Sequence, residues 1–209
     1  MSGPGRSGRE EAEFQRFHYP GTEVLINRLG VRDPLHLDVV ERGYVEGRLK
    51  GDFPKEADPR TYAGFQAIHH HLFQDVYEWA GQERTYTTGR GAAPFATPEN
   101  IQPWMEKQFE ALRAEHYLRG LRPEQFARKA AVLVNEINAA HPFIEGNGRT
   151  QRTWLRLVGL QAGHRLVLRS EDRERWYEAS RIGFERVDHD PMARLLSERL
   201  QGRRRQHER

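Results

Sequence analysis

Most of the chain's chemistry lies in twelve consecutive residues, His141-Pro142-Phe143-Ile144-Glu145-Gly146-Asn147-Gly148-Arg149-Thr150-Gln151-Arg152. Pro142 disfavours helical backbone at His141, so a helix must end there. Gly146 and Gly148 remove side chains where backbone has to approach something closely. The next helix begins beside them, and its free N–H groups and positive dipole end make a ready anion site. Arg149 and Arg152 lie three apart on its first turn and can offer paired donors to phosphate oxygens. Asn147 adds a neutral donor. Glu145 beside a phosphate cradle suits a Mg²⁺ that bridges phosphates. His141 is the group here that can accept a proton near pH 7. Together these types at this spacing describe a polyphosphate site with a metal ligand and a general base. The competing reading is a loop whose arginines only form salt bridges, which leaves the glycines and His141 without a purpose.

Helices must position this loop. Asp33-Pro34, Asp58-Pro59 and Asp190-Pro191 each set a capping acceptor before a proline suited to a first helical turn. Phe65, Ile68, Leu72, Val76 and Trp79 keep helical spacing from Asp58 to a stop near Gly81. A second helix runs from Pro123 to about Ala140, with Phe126, Ala130, Leu133, Val134 and Ile137 on one face. A third, from about Gly148, carries Trp154, Leu155, Leu157, Val158 and Leu160 over a wide arc and reads as the buried central helix. A fourth opens at Ser170 or Glu171. Shorter helices are expected over 22–29, 34–49, 98–116 and 191–201. Residues 81–98 break the pattern: Thr85-Tyr86-Thr87-Thr88 favours strand and Gly89-Arg90-Gly91 favours a turn, so a small β-hairpin is expected to protrude. His69, His70 and His71 do not make a metal site, because successive helical residues point about 100° apart.

Composition bounds the rest. The 209 residues fit one domain and contain no cysteine, which excludes disulfide scaffolds, thiolate metal sites and thiol nucleophiles. No apolar run approaches the roughly 18 residues of a membrane span, and the first residues, MSGPGRSGREEAEF, lack a signal-peptide core, so a cytoplasmic protein is expected. The net charge is only +3, but residues 141–209 hold 15 basic against 10 acidic residues. That local excess suits an anionic ligand. Arg203, Arg204 and Arg205 supply much of it as a tail.

The motif HPFIEGNGRTQR resembles the Fic-domain signature HPFx(D/E)GNGRxxR at every specified position. AIHHHLFQDVYEWAGQERT followed by a hairpin and PENI resembles the helix-flap-helix region of that family, and YPGTEVLINRLG resembles the opening of class I Fic toxins and related effector Fic domains. The resemblance implies an all-α Fic fold of about eight helices with a β-hairpin flap. It divides the chain into a disordered arm over 1–16, the Fic domain over 17–201 with its flap at 82–97 and active-site loop at 141–152, and a basic tail over 202–209. It also implies a nucleotidyltransferase that moves AMP from ATP to a Ser, Thr or Tyr hydroxyl of a target protein. By resemblance, His141 would be the base, Glu145 would hold Mg²⁺, and Gly146, Asn147 and Gly148 would cradle phosphates gripped by Arg149 and Arg152. Arg90 and Gly91 of the flap and Trp176 near the adenine pocket would touch the nucleotide.

The same resemblance suggests partners. The flap would receive a target segment as an added strand. Many Fic proteins are held off by a glutamate from an (S/T)xxxE(G/N) helix that pairs with the second motif arginine, here Arg152. Ser7 to Glu11 is followed by Ala12, and Ser197 to Gln201 places Gln where the carboxylate belongs, so neither supplies it. A stand-alone toxin with a separate small antitoxin is the expected arrangement, with type IIA topoisomerase subunits as targets by analogy. No membrane contact and no direct nucleic-acid role are expected. The alternatives are a Fic-fold transferase that moves phosphate or UMP, and a translocated effector without a toxin role.

Overall fold

The computed structural model describes residues 8–90 and 93–201. Its helices are α1 (Gly8–Gln15), α2 (Pro34–Lys50), α3 (Tyr62–Phe73), α4 (Pro98–Ala114), α5 (Pro123–Ala140), α6 (Asn147–Ala162), α7 (Asp172–Arg186) and α8 (Asp190–Arg199), with a 3-10 turn at His116–Leu118. Two small antiparallel pairs complete it. Strands β1 (Gly89–Arg90) and β2 (Ala93–Pro94) form the flap, and β3 (Arg165–Leu166) pairs with β4 (Leu200–Gln201). The fold is the mostly helical body with a small hairpin that the sequence predicts.

Local chemistry explains most helix starts. Asp33 caps α2 by accepting the His36 N–H at 2.7 Å. Asp58 does not cap α3. Its carboxylate grips the Arg60 guanidinium, and Thr61 takes the capping role, accepting the Gly64 N–H at 3.0 Å. Pro98, Pro123 and Pro191 each occupy the first turn of a helix.

The hub of the fold is α5, which packs against α4, α6, α7 and α8. This corrects the expectation that the helix after Gly148 is central: α6 buries Trp154, Leu155 and Val158 but leaves Leu160 55% exposed. Its apolar arc is wider than the surface its neighbours cover. The core joins Phe65, Ile68, Leu72 and Phe73 of α3, Phe126, Ala130, Val134 and Ile137 of α5, and Trp154 and Leu155 of α6.

Four further expectations change. Residues 22–29 form a loop, not a helix. The Asn27 amide donates to the carbonyls of Leu25 and Val31 and accepts from the N–H groups of Leu29 and Val31. A side chain that satisfies backbone this way competes with helix formation. The helix after Asp58 begins at Tyr62 and stops at Phe73; turns then carry Val76 and Trp79 into the core off the helical path. The flap strands lie at 89–90 and 93–94, beyond the Thr85–Thr88 run. Residues 8–15 of the arm expected to be disordered are helical, because Phe14 finds an edge-on partner in Tyr86 and Glu13 accepts the Thr85 hydroxyl. Residues 1–7 and the tail from 202 lie outside the described residues. The β3–β4 pair has no sequence signal, since two-residue strands carry no periodicity.

Candidate active site

Helix α5 ends at His141, whose backbone turns into the left-handed region at φ 46°. A non-glycine residue there is strained and persists only when its surroundings hold it. The holder is Arg84, a guanidinium only 1% exposed. It donates to the carbonyls of His141 at 2.8 Å, Ala140 at 3.0 Å, Tyr86 at 2.8 Å and Ala96. Two of these carbonyls belong to the end of α5 and two to the base of the flap. No carboxylate among the described residues pairs with Arg84; the negative end of the α5 dipole offsets part of its charge. Burial holds its pKa down at about 10.

The His141 ring stacks flat on Phe95, with centroids 4.0 Å apart and planes 2° apart. Its Nδ1 is buried without a hydrogen bond of ordinary geometry, so Nε2 is the nitrogen left accessible. Burial first, then the guanidiniums of Arg84 and Arg90, hold the imidazole well below the ordinary histidine range; the Asn138 backbone opposes them weakly. A neutral imidazole can accept a proton.

The loop beyond is closed by Asn147. Its carboxamide accepts the Phe143 N–H at 3.0 Å and donates to the Phe143 carbonyl at 2.8 Å. The predicted donor role of Asn147 is therefore spent on shaping the loop. Gly146 sits at φ 82°, and a Cβ there would stand 2.3 Å from the Phe73 ring. Only glycine fits. Helix α6 starts at Asn147 with no side-chain cap, so its first N–H groups remain available to a ligand.

The charged groups surround this helix end. Glu145 is exposed; its Oε1 accepts the Gly146 N–H at 2.7 Å and lies 3.3 Å from Arg149. A single hard carboxylate fits Mg²⁺, which takes few protein ligands and completes its shell with phosphates and water. The described residues offer no cluster of three such groups. Arg149 lies over the Phe73 ring at 4.7 Å and pairs with Glu41 of α2 at 2.5 Å. Arg152 is half-buried over the Trp176 ring at 5.8 Å and has no carboxylate partner among the described residues; burial lowers its pKa to about 10. Trp176 itself is only 3% exposed, in the core behind Arg152. Its neighbour Tyr177 is 52% exposed and carries the Arg90 guanidinium at 4.7 Å. Arg90 thus bridges flap and α7, with Nη1 buried and unpaired. Gly91 lies outside the described residues.

His69 separates from its neighbours in role. Its Nδ1 accepts the Gly81 N–H at 2.8 Å, which assigns the proton to Nε2, and Nε2 then donates to the Glu145 carbonyl at 3.0 Å. His71 meets the Arg48 carbonyl, and His70 is exposed. Arg84, His69 and Glu41 all serve the loop from far along the chain. Helical periodicity marks His69 only as core, and a lone Arg or Glu carries no motif.

The chain as a whole has known relatives. Residues 59–158 match the Fic/DOC family. The chain is 41% identical to the probable protein adenylyltransferase y4lH of Sinorhizobium fredii over 162 residues, 77% of this chain and 83% of that one. It is 31% identical to the probable protein adenylyltransferase Fic of Escherichia coli, across 79% of this chain and 82% of that one. Among solved structures, BepC of Bartonella tribocorum, a VirB-translocated effector with bound AMPPNP, superposes with a TM-score of 0.79 at 26% identity, covering 90% of this chain and 97% of that one.

Proposed function

We propose, from the premise that this chain belongs to the Fic/DOC family, that it is a protein adenylyltransferase moving AMP from ATP to a Ser, Thr or Tyr hydroxyl of a target protein. One observation carries the reading. A half-buried imidazole, stacked on Phe95 and held below the ordinary histidine range by burial and nearby guanidiniums, stands just ahead of an uncapped helix N-terminus flanked by Glu145, Arg149 and Arg152. The names of its relatives point to the same reaction, and a bound ATP analogue in a similar structure supports the donor.

His141 would take the hydroxyl proton at Nε2 as the target oxygen bonds to the α-phosphorus and the bond to the bridging oxygen breaks. The first N–H groups of α6, with Arg149 and Arg152, would hold the departing diphosphate. Mg²⁺, when bound through Glu145, would neutralise charge on those phosphates. Phe95 fixes the plane of the imidazole and Arg84 fixes its backbone, so the base is placed before substrate arrives. The flap would register the target by strand addition.

Arg152, with no carboxylate partner among the described residues, supports an inhibitory carboxylate from a separate antitoxin, and hence a toxin, with type IIA topoisomerase subunits as candidate targets. A second reading, a translocated effector, is favoured by the likeness to BepC across nearly the whole domain.

The test is mass spectrometry of lysate treated with ATP and either wild type or His141→Ala. An AMP adduct on a discrete protein is expected with wild type and should fall ~10²–10⁴-fold or more with the variant. Label transferred from γ- but not α-labelled ATP would overturn the reading. Growth arrest on expression, relieved by a co-expressed partner, separates toxin from effector.

A further inference from the structure

Glu41 of α2 is a carboxylate with no part in the sequence motif and stands 100 positions before its first residue, His141. It is only 5% exposed. A buried carboxylate costs several kcal/mol in desolvation unless partners replace its water. Glu41 has two such partners. Its Oε1 lies 2.5 Å from Arg149 Nη2, and its Oε2 accepts the hydroxyl of buried Tyr77. Desolvation and the neighbouring carboxylate keep the Tyr77 phenol protonated and donating.

The same Arg149 Nη2 also faces Oε1 of Glu145, at the longer distance of 3.3 Å. Two carboxylates therefore compete for one guanidinium. The outcome matters because the two have different work. Glu145 is the exposed oxygen donor suited to a divalent cation, and a carboxylate tied to an arginine is a poorer cation ligand. Glu41 is buried, braced by Tyr77, and cannot reach solvent. The shorter contact belongs to the braced partner.

We propose that Glu41 is a positioning residue: it holds Arg149 from behind, against the Phe73 ring, and so keeps Glu145 free to take the metal that accompanies the nucleotide's phosphates. Tyr77 is the brace that aims Glu41. Removing the Glu41 charge lets Arg149 swing onto Glu145 and mask it. The loss falls on metal-dependent binding of the β- and γ-phosphates and spares the nucleoside end. This rests on the reading of the loop as a Mg²⁺–triphosphate site.

The test measures binding, not turnover. Wild type, Glu41→Gln and Tyr77→Phe are titrated calorimetrically with AMPPNP at rising Mg²⁺, and with AMP, after circular dichroism confirms each fold. For Glu41→Gln we expect about tenfold weaker AMPPNP affinity at 1 mM Mg²⁺ (roughly 1.4 kcal/mol). The Mg²⁺ midpoint should move up severalfold, excess Mg²⁺ should recover most of the loss, and AMP should bind as in wild type. Tyr77→Phe should shift the midpoint the same way by about threefold. Tighter AMPPNP binding in Glu41→Gln would mean that Glu41 blocks Arg149 and would overturn the proposal. So would an unchanged midpoint, or an equal loss for AMP. If Glu41→Gln does not fold, Tyr77→Phe decides alone, and an unshifted midpoint sinks it. If wild type itself fails to bind AMPPNP with Mg²⁺, the failure belongs to the nucleotide-site reading instead.

Discussion

Arg84 shows how one residue can carry the order of a whole site. Four carbonyls share its guanidinium, and the two that are fully buried, of Tyr86 and Ala140, would otherwise face the cost of an unmade hydrogen bond, ~1–3 kcal/mol. Because two of them lie at the flap base and two at the end of α5, the residue couples the element that would hold a target to the backbone of His141. Lysine keeps the charge but has a smaller, differently aimed donor set. Arg84→Lys is therefore expected to lower the thermal midpoint by several degrees. It should also slow target modification more than tenfold at saturating ATP, as read by a melt and an adenylylation assay. Unchanged turnover in a destabilised protein would limit Arg84 to a structural role. The motif residues themselves were legible from their types and spacing. Arg84, His69 and Glu41 were not, because each acts through backbone carbonyls or a single partner that only the folded chain brings near.

At the scale of elements, one junction seats the loop and another ties α7 to the end of α8. The first is α3 against the start of α6. Gly146 faces the Phe73 ring so closely that Gly146→Ala must either push Phe73 out of the core or distort the α6 N-terminus. A cost of about 1–3 kcal/mol in denaturant unfolding is expected, together with loss of AMPPNP binding; a variant that binds normally would mean that the loop yields cheaply. The second is α7 against the end of α8. Asp172, 1% exposed, receives a two-pronged Arg199 at 2.7–3.0 Å and the Arg169 N–H at 2.8 Å. Asp172→Ala removes the acceptor of the Arg169 N–H and of the part-exposed Arg199, and should destabilise by about 1–3 kcal/mol. Hydrogen exchange should accelerate first at β3 and β4, which this pair holds together. Helix boundaries were legible where a proline or a capping side chain set them, as at Asp33 and Pro123. They were not where Asn27 diverted the backbone to its own side chain, or where α3 gave way to turns so that the Gly81 N–H could return to His69.

Taken whole, the molecule holds two histidines in their neutral form. His69 is completely buried and its pKa is pushed down to about 3, chiefly by desolvation; His141 is lowered in the same direction. Their unfolded-state pKa is about 6.5. The unfolded chain therefore binds protons that the folded chain refuses. The stability these groups contribute is full above pH 6.5 and is lost as pH falls from there toward 3. Between pH 7.5 and 5, His69 alone should account for about 2 kcal/mol. Urea midpoints across this range check it, and a flat profile would show that neither ring is kept neutral. Nucleotide should oppose the loss at His141, since phosphate charge nearby favours the imidazolium. No helix among the described residues is long and apolar enough to cross a membrane.

The sequence by itself determined the chemistry of the loop, the helical class and the presence of a hairpin, because motif spacing, proline positions and apolar periodicity are local properties of the chain. Only the tertiary structure decided what holds that chemistry in place. It chose α5 as the hub and buried Trp176 behind Arg152. It sent a guanidinium from the flap base to the backbone of His141, and it gave Arg149 a second carboxylate from α2. Those are contacts between residues 24 to more than 100 positions apart, and their energies depend on burial, which a linear pattern does not specify.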